Sequence, residues 1–128
     1  MIFDIPTGIT GERSLIVREK DTAEKYGSGL VEVFATPAMI GLMEQTSQKC
    51  IVEYLPEGFT TVGIAVDIRH LKATPVGMKV TCRATLTAAE GRKLLFTVQA
   101  WDEEGMIGSG SHTRYIVNTE EFLSKVKR

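Results

Sequence analysis

The most informative segment of the sequence is residues 35–44, which read Ala35-Thr36-Pro37-Ala38-Met39-Ile40-Gly41-Leu42-Met43-Glu44. Threonine is a favourable N-cap and proline is well tolerated at the first helical position, so a helix should begin here with Thr36 as its N-cap. We predict that this helix extends from Pro37 to Tyr54, because a proline and a glycine follow shortly afterwards as stop signals. The residues after Pro37 are apolar on nearly all sides for two turns, which indicates a buried helix.

Glu44 places a carboxylate inside this apolar helix. It lies eight residues after Thr36, a little over two helical turns further along. A buried carboxylate without a partner is costly. Two interpretations remain open: Glu44 forms an ion pair with Arg69, Arg83 or Arg114, or it takes part in a reaction.

The second half of the chain has a period of two instead of 3.6. Residues 78–88 alternate between small or apolar and polar side chains without a fault. Such alternation is typical of an antiparallel sheet with one covered and one solvated face. The predicted strands are Glu12–Glu19, Val62–Lys72, Met78–Ala88, Lys93–Asp102 and Met106–Asn118, and a short helix over Glu120–Lys127 ends the chain.

One long apolar helix needs a surface that covers it, and a curved antiparallel sheet provides one. We therefore predict an α+β architecture, with one sheet wrapped around one central helix and residues 1–128 forming a single domain. Such a sheet has an open edge strand, which pairing with a second copy would cover. A homodimer is expected, with a tetramer as the alternative.

Composition excludes several classes of function. The formal net charge of −1 gives no electrostatic footprint for nucleic acid or for an anionic membrane. The apolar runs are shorter than the roughly 20 residues that span a bilayer. The N-terminus does not resemble a signal peptide, and Cys50 and Cys82 suggest free thiols, so a cytoplasmic protein is expected. Two histidines and two cysteines on separate elements provide no metal-ligand spacing, so no metal is expected.

His70 is the most informative residue after Glu44. The apolar even-numbered positions of its strand are Val62, Ile64, Val66 and Ile68. His70 continues that series at the strand's end, so we expect it to face the helix. If it meets Thr36 and Glu44 there, a hydroxyl, a base and an acid converge, which suits the activation of water or of a hydroxyl against a carbonyl. Taken singly, the three residues have ordinary structural explanations as a core histidine, an N-cap and an ion-pair partner.

A run of small residues precedes the second histidine, His112. Residues 108–111 alternate glycine and serine, which is too little side-chain volume for ordinary strand packing. The run indicates close approach by another element or by a ligand. It does not match a phosphate-binding loop, because no strand–turn–helix surrounds it.

These motifs together resemble the hot-dog-fold thioesterases of the fluoroacetyl-CoA thioesterase type, over about residues 10–120. The segments that carry the resemblance are Ala35-Thr36-Pro37-Ala38-Met39 with Glu44, Val62-Gly63, His70-Leu71-Lys72-Ala73-Thr74-Pro75-Val76-Gly77 and His112-Thr113-Arg114. The resemblance implies a hot-dog fold with a dimer as its unit. It also implies that Thr36, Glu44 and His70 are catalytic, that Gly63 binds near the thioester carbonyl, and that Arg114 lies on the substrate side of the pocket.

The resemblance implies an acyl-CoA thioesterase that needs no cofactor, CoA being part of the substrate. In this family, specificity for a fluorinated acyl group belongs to a specialised member whose pocket is closed by a lid upstream of the threonine. The corresponding segment of this chain, residues 26–30, holds two glycines and a single aromatic residue. We therefore expect a general short- or medium-chain acyl-CoA as the substrate rather than a fluorinated one. Two alternatives stay open: an acyl-CoA or acyl-carrier binding protein without turnover, and a hot-dog enoyl-CoA hydratase.

Overall fold

Five antiparallel strands form one sheet in the computed structural model of the protein, which describes residues 3–127. The strands are β1 (Thr10–Ile16), β2 (Phe59–His70), β3 (Lys79–Glu90), β4 (Lys93–Asp102) and β5 (Gly105–Asn118). Their order across the sheet is β1-β3-β4-β5-β2, so β1 and β2 are the two edges. The helices are α1 (Ala23–Tyr26), α2 (Thr36–Ile51) and α3 (Thr119–Val126), with 3₁₀ turns at Glu19–Asp21 and Val52–Tyr54.

The long helix α2 covers one face of the sheet, chiefly against β1, β3 and β4. Its buried apolar residues are Ala38, Met39, Leu42, Met43, Cys50 and Ile51. Buried side chains of β3 and β4 meet them, among them Val80, Leu86, Leu94 and Phe96. Each fully buried side chain of this size contributes about 1.5–3 kcal/mol. The predicted α+β class and the buried first half of the helix are confirmed. Between residues 3 and 127, none of the helices combines the length and apolar character needed to cross a membrane.

The first strand begins and ends earlier than predicted. It ends at Ile16, not Glu19, because a 3₁₀ turn begins at residue 19. The backbone N–H of Arg18 donates a hydrogen bond to the Asp21 carboxylate at 2.9 Å, and this local bond favours the turn over continued strand. A single helical turn, α1, follows before α2.

The sequence predicted that Thr36 is the N-cap of α2, and this prediction is wrong. Ala35 occupies the N-cap position, and its carbonyl accepts the first helical hydrogen bond from the N–H of Met39 at 2.9 Å. Thr36 is already helical, so its hydroxyl makes no capping bond. The hydroxyl is therefore free to bond elsewhere.

The prediction that the even-numbered residues of β2 share one face is wrong for the first half of the strand. The pairing of β2 with β5 shifts between Gly63 and Ala65, which leaves Ile64 as the extra residue of a β-bulge. A one-residue insertion reverses which side chains face the helix. Before the bulge, Thr61 and Gly63 therefore face α2. After the bulge, the even-numbered residues up to His70 face α2 instead.

The small-residue run of β5 allows close approach of β2. A Cβ on Gly110 would overlap the carbonyl oxygen of Asp67 and lie 2.9 Å from the Cα of Ile68. We predict that Gly110→Ala lowers the free energy of unfolding by at least about 2 kcal/mol, because backbone atoms cannot yield to the added methyl group. Gly41→Ala is the control, since nothing lies within 4 Å of its Cβ, and it should stabilise α2 by about 0.5–1 kcal/mol. Urea denaturation of both variants measures the difference, and equal stabilities would contradict this packing.

Candidate active site

Thr36 and His70 meet at the start of α2. Thr36 Oγ1 lies 2.8 Å from His70 Nδ1, which joins the first residue of the helix to the last residue of β2. The other ring nitrogen of His70, Nε2, is buried and has no hydrogen-bond partner among residues 3–127. Burial lowers the pKa of His70, an effect that the nearby polar backbone of Lys72 partly opposes. The imidazole is therefore neutral at pH 7 and able to accept a proton.

A cavity of about 360 Å³ adjoins this pair. Its lining residues come from the segment before α2 and from the turn after β2; they include Ser28, Phe34, Thr36, His70 and Lys72. The turn is held by buried Thr74, whose hydroxyl donates to the Asp102 carboxylate at 2.9 Å and whose carbonyl accepts from the N–H of Phe34 at 2.8 Å. The bond between Phe34 and Thr74 therefore holds the segment before α2 against the turn after β2.

Glu44 belongs to a second cluster further along α2. A Cβ on Gly63 would lie 2.9 Å from Glu44 Oε2 and 3.1 Å from His112 Cε1, so a larger residue at this position would displace the Glu44 carboxylate. Glu44 is partly buried on the flank of α2 that faces β2, not in the core. The ion pair with an arginine, one of the two interpretations that the sequence left open for Glu44, is absent among residues 3–127. Arg83 pairs instead with Glu12 at 2.7 Å.

Arg114 is the buried cation of this second cluster, with only 9 % of its surface exposed. Its Nε donates to Thr61 Oγ1 at 2.7 Å, its Nη2 to the Thr61 carbonyl at 3.0 Å, and its Nη1 to His112 Nε2 at 3.1 Å. Burial lowers the pKa of Arg114, and the nearby charge of Glu44 opposes that effect. Within residues 3–127, no carboxylate oxygen lies within 4.0 Å of the guanidinium.

Within one chain the predicted site residues therefore form two groups. Thr36 contacts His70, while Glu44 lies with Gly63 near Arg114. No hydrogen bond joins Glu44 to Thr36 or His70 among the described residues. Eight helical residues separate Thr36 from Glu44, which corresponds to roughly 12 Å along the helix axis.

Sequence reasoning missed Thr61 and gave His112 no role in the site. His112 and Arg114 stand two apart on β5 and so share a face, and Gly63 pairs with Arg114 across the strands. That spacing was a usable signal for His112. Thr61 gave none, because only the bulge in β2 turns it towards α2. Between residues 3 and 127, no group of three or more histidine, cysteine, aspartate or glutamate side chains is arranged to hold a metal ion.

The family model for the fluoroacetyl-CoA-specific thioesterase matches residues 17–120. The chain belongs to this family. A curated relative, the fluoroacetyl-CoA thioesterase of Streptantibioticus cattleyicolor, is 42 % identical over 97 residues, which are 76 % of this chain and 70 % of the relative. As a member of this thioesterase family, the protein is a thioester hydrolase that acts on acyl-CoA.

Solved thioesterases share the whole architecture. A variant of the fluoroacetyl-CoA thioesterase FlK in complex with acetyl-CoA superposes with a TM-score of 0.92 at 34 % identity, covering 96 % of this chain and 97 % of that chain. A Thermus thermophilus protein described as a thioesterase superfamily member gives 0.91 at 30 % identity, covering 98 % and 93 %. The predicted hot-dog fold is thereby confirmed.

The two histidines should both titrate below the ordinary imidazole value of about 6.5, because burial disfavours their charged forms. The unfolded chain then takes up protons first, so stability is lost as the pH falls from about 6.5 towards the lowered values. NMR titration of the imidazole C–H signals measures both pKa values, and the His70→Gln variant assigns them, since the chain holds only two histidines. A midpoint at or above 6.5 for either ring would contradict this arrangement.

Proposed function

We propose that the protein hydrolyses short-chain acyl-CoA thioesters to the free acid and CoA, with Thr36, Glu44 and His70 as the catalytic residues. The observation that carries the proposal is the hydrogen bond between Thr36 and His70 beside a cavity. A short acyl chain is favoured because a related enzyme has been captured with acetyl-CoA.

In this mechanism, an oxygen nucleophile adds to the thioester carbonyl carbon, the carbon–sulfur bond breaks, and the thiolate of CoA leaves. A hydroxyl nucleophile gives its proton to neutral His70 and a water nucleophile gives its proton to Glu44, and the protonated group then returns a proton to the thiolate. A carboxylate nucleophile has no proton to give, so in that route the thiolate is protonated through His70, which deprotonates the water that later hydrolyses the acyl-enzyme. The nucleophile is the Thr36 hydroxyl, the Glu44 carboxylate, or a water that Glu44 activates. For the first two, water then releases the acid from the acyl-enzyme.

The oxyanion formed at the carbonyl needs hydrogen-bond donors. We assign this role to the N–H of Gly63, assisted by free N–H groups in the first turn of α2, where the positive end of the helix dipole adds to the effect. One such donor is commonly worth about 3–4 kcal/mol in the transition state. Arg114 then lies at the acyl end of the pocket.

A second subunit would bring the two groups of residues together. β2 is an edge strand, and its Ile64 and Val66 are 54 % and 47 % exposed. Two copies of β2 paired antiparallel, with the two-fold axis between Val66 and Asp67, would set Gly63 opposite His70 of the partner subunit. Glu44 of one subunit would then reach the Thr36–His70 pair of the other.

The dimer proposal predicts a mass of twice the 14.1 kDa of the chain by light scattering at micromolar concentration. Val66→Asp should shift the protein towards monomer, because it places a charge in the interface. Leu95→Asp, at an exposed apolar residue of β4, should leave the mass unchanged. A monomeric wild-type protein would remove the interface, and a mass of four chains would indicate a tetramer.

Glu44→Gln should lower kcat for thiol release from acetyl-CoA by at least ~10²-fold, because the amide keeps the shape but cannot act as a base or nucleophile. His70→Ala should have a similar effect, and the double variant should be little worse than either single one, since such residues act as a unit. The matched control is Glu53→Gln, an exposed glutamate just beyond α2.

Thiol release should be followed for acetyl-CoA, fluoroacetyl-CoA, butyryl-CoA and octanoyl-CoA, with melting temperatures measured in parallel. Near-normal turnover by a folded Glu44→Gln variant would disprove the proposed mechanism. Saturable binding without thiol release from any of these substrates would favour a binding protein instead.

Arg114→Ala should raise KM more than it lowers kcat, because a contact to the acyl end acts in the ground state and the transition state alike. The variant also leaves Thr61 and His112 without their partner, so activity must be compared at equal folded fraction. A loss confined to kcat would place Arg114 in the catalytic group.

A further inference from the structure

His112 is a buried histidine that the proposed mechanism does not use. Its side chain is only 1 % exposed, on the face of β5 that lies against α2. Its ring stacks with Phe96, with 6.4 Å between the ring centres. Both ring nitrogens nevertheless have polar partners. Nδ1 lies 2.9 Å from the carbonyl oxygen of Ala65, and Nε2 lies 3.1 Å from Nη1 of Arg114.

These partners determine the tautomer of His112. A guanidinium can only donate hydrogen bonds, so Nε2 must be the acceptor and carries no proton. A carbonyl can only accept, so Nδ1 carries the proton and donates to Ala65. The ring is therefore neutral, in agreement with its pKa, which burial lowers and the charge of Arg114 lowers further, against the opposing Ala65 carbonyl and Glu44.

The Nδ1 bond of His112 supports the β-bulge. The bulge begins after Gly63, and Ala65 is the residue at which regular pairing with β5 resumes. Bulges disrupt the ladder of backbone hydrogen bonds locally, so a side-chain donor to the Ala65 carbonyl stabilises this conformation. The position of Gly63 against Glu44 depends on the same bulge.

The Nε2 bond orients Arg114. Thr61 accepts two of the hydrogen bonds that Arg114 donates, and His112 accepts the third. Two of the five guanidinium N–H groups then lack a partner among residues 3–127. Since no carboxylate of the described residues pairs with the guanidinium, its plane is set by Thr61 on one side and by His112 on the other.

We propose that His112 is a positioning residue that orients Arg114 for substrate binding and, through a separate bond, supports the Gly63 bulge. This inference rests on the proposed function of the site. The neutral imidazole joins two parts that the acyl group must meet together: the guanidinium on β5 and the bulged backbone of β2. Its two bonds have separate consequences, and each can be removed alone.

Two substitutions separate the bonds. The side-chain nitrogen of asparagine occupies the place of Nδ1, so His112→Asn keeps the bond to Ala65 and loses the acceptor for Arg114. The side-chain oxygen of glutamine reaches the place of Nε2, so His112→Gln keeps that acceptor and loses the bond to Ala65. Thr113→Ser, on the same strand but the opposite face, is the control.

We expect a reciprocal pattern. In His112→Asn, KM for acetyl-CoA should rise about tenfold or more with a smaller change in kcat, the size expected for a lost hydrogen bond to a charged group. Amide exchange of residues 63–66 should stay as in the wild type. In His112→Gln, KM should remain within about threefold, while exchange of these amides should quicken about tenfold. In an Arg114→Ala background, His112→Asn should change KM by less than about twofold, since its effect passes through Arg114.

The inference would be overturned if the asparagine and glutamine variants had equal KM values. It would also be overturned if His112→Asn raised KM as much in the Arg114→Ala background as in the wild type. The inference would also be overturned if the increases in KM of the His112 variants simply followed their decreases in melting temperature. If the wild type released no thiol, the proposed function would fail. The variants would then be compared by the dissociation constant of S-acetonyl-CoA, a non-hydrolysable thioether, measured by calorimetry. Amide exchange of the ligand-free protein tests the bulge in either case, and unchanged exchange in His112→Gln would refute that part.

Discussion

The β-bulge at Ile64 is the constraint on which the site depends. Gly63 and His70 are seven residues apart, so in a regular strand they would face opposite sides of the sheet. The extra residue restores both to the side of α2. His70 can therefore bond Thr36 at the mouth of the helix while Gly63 lies against Glu44 two turns further along.

The buried guanidinium of Arg114 lies beside this bulge and makes no ion pair among residues 3–127, although the charge of Glu44 acts on it from further away. A buried guanidinium without a carboxylate partner costs stability, and in this protein three hydrogen bonds to neutral groups hold it instead. His70 likewise has a buried ring nitrogen without a partner among residues 3–127. Unsatisfied polar groups of this kind are expected where a substrate completes the bonding. These unsatisfied groups support the proposed acyl pocket independently of family membership.

Much of the fold could be predicted from the sequence, because the apolar helix and the alternation in β3 are local patterns that burial reinforces. The N-cap and the face of β2 could not. Thr36 has the side chain of a good N-cap, but Ala35 holds that position and the Thr36 hydroxyl bonds His70 instead. The bulge has no pattern of its own, because Val62 and Ile64 look like alternating core residues. The residue pattern and the resemblance both point to Thr36, Glu44 and His70, whereas their division into two groups follows from strand order, which a single sequence does not reveal.

In the proposed dimer, Glu44 of one subunit acts with Thr36 and His70 of the other. Mixing two inactive variants, Glu44→Gln and His70→Ala, by unfolding and refolding them together tests it directly. Each mixed dimer would hold one site with both substitutions and one with neither. Random assortment should then restore about a quarter of wild-type thiol release, since half of the dimers are mixed and each has one intact site. No recovery in verified mixed dimers would contradict the account and place each site within a single chain.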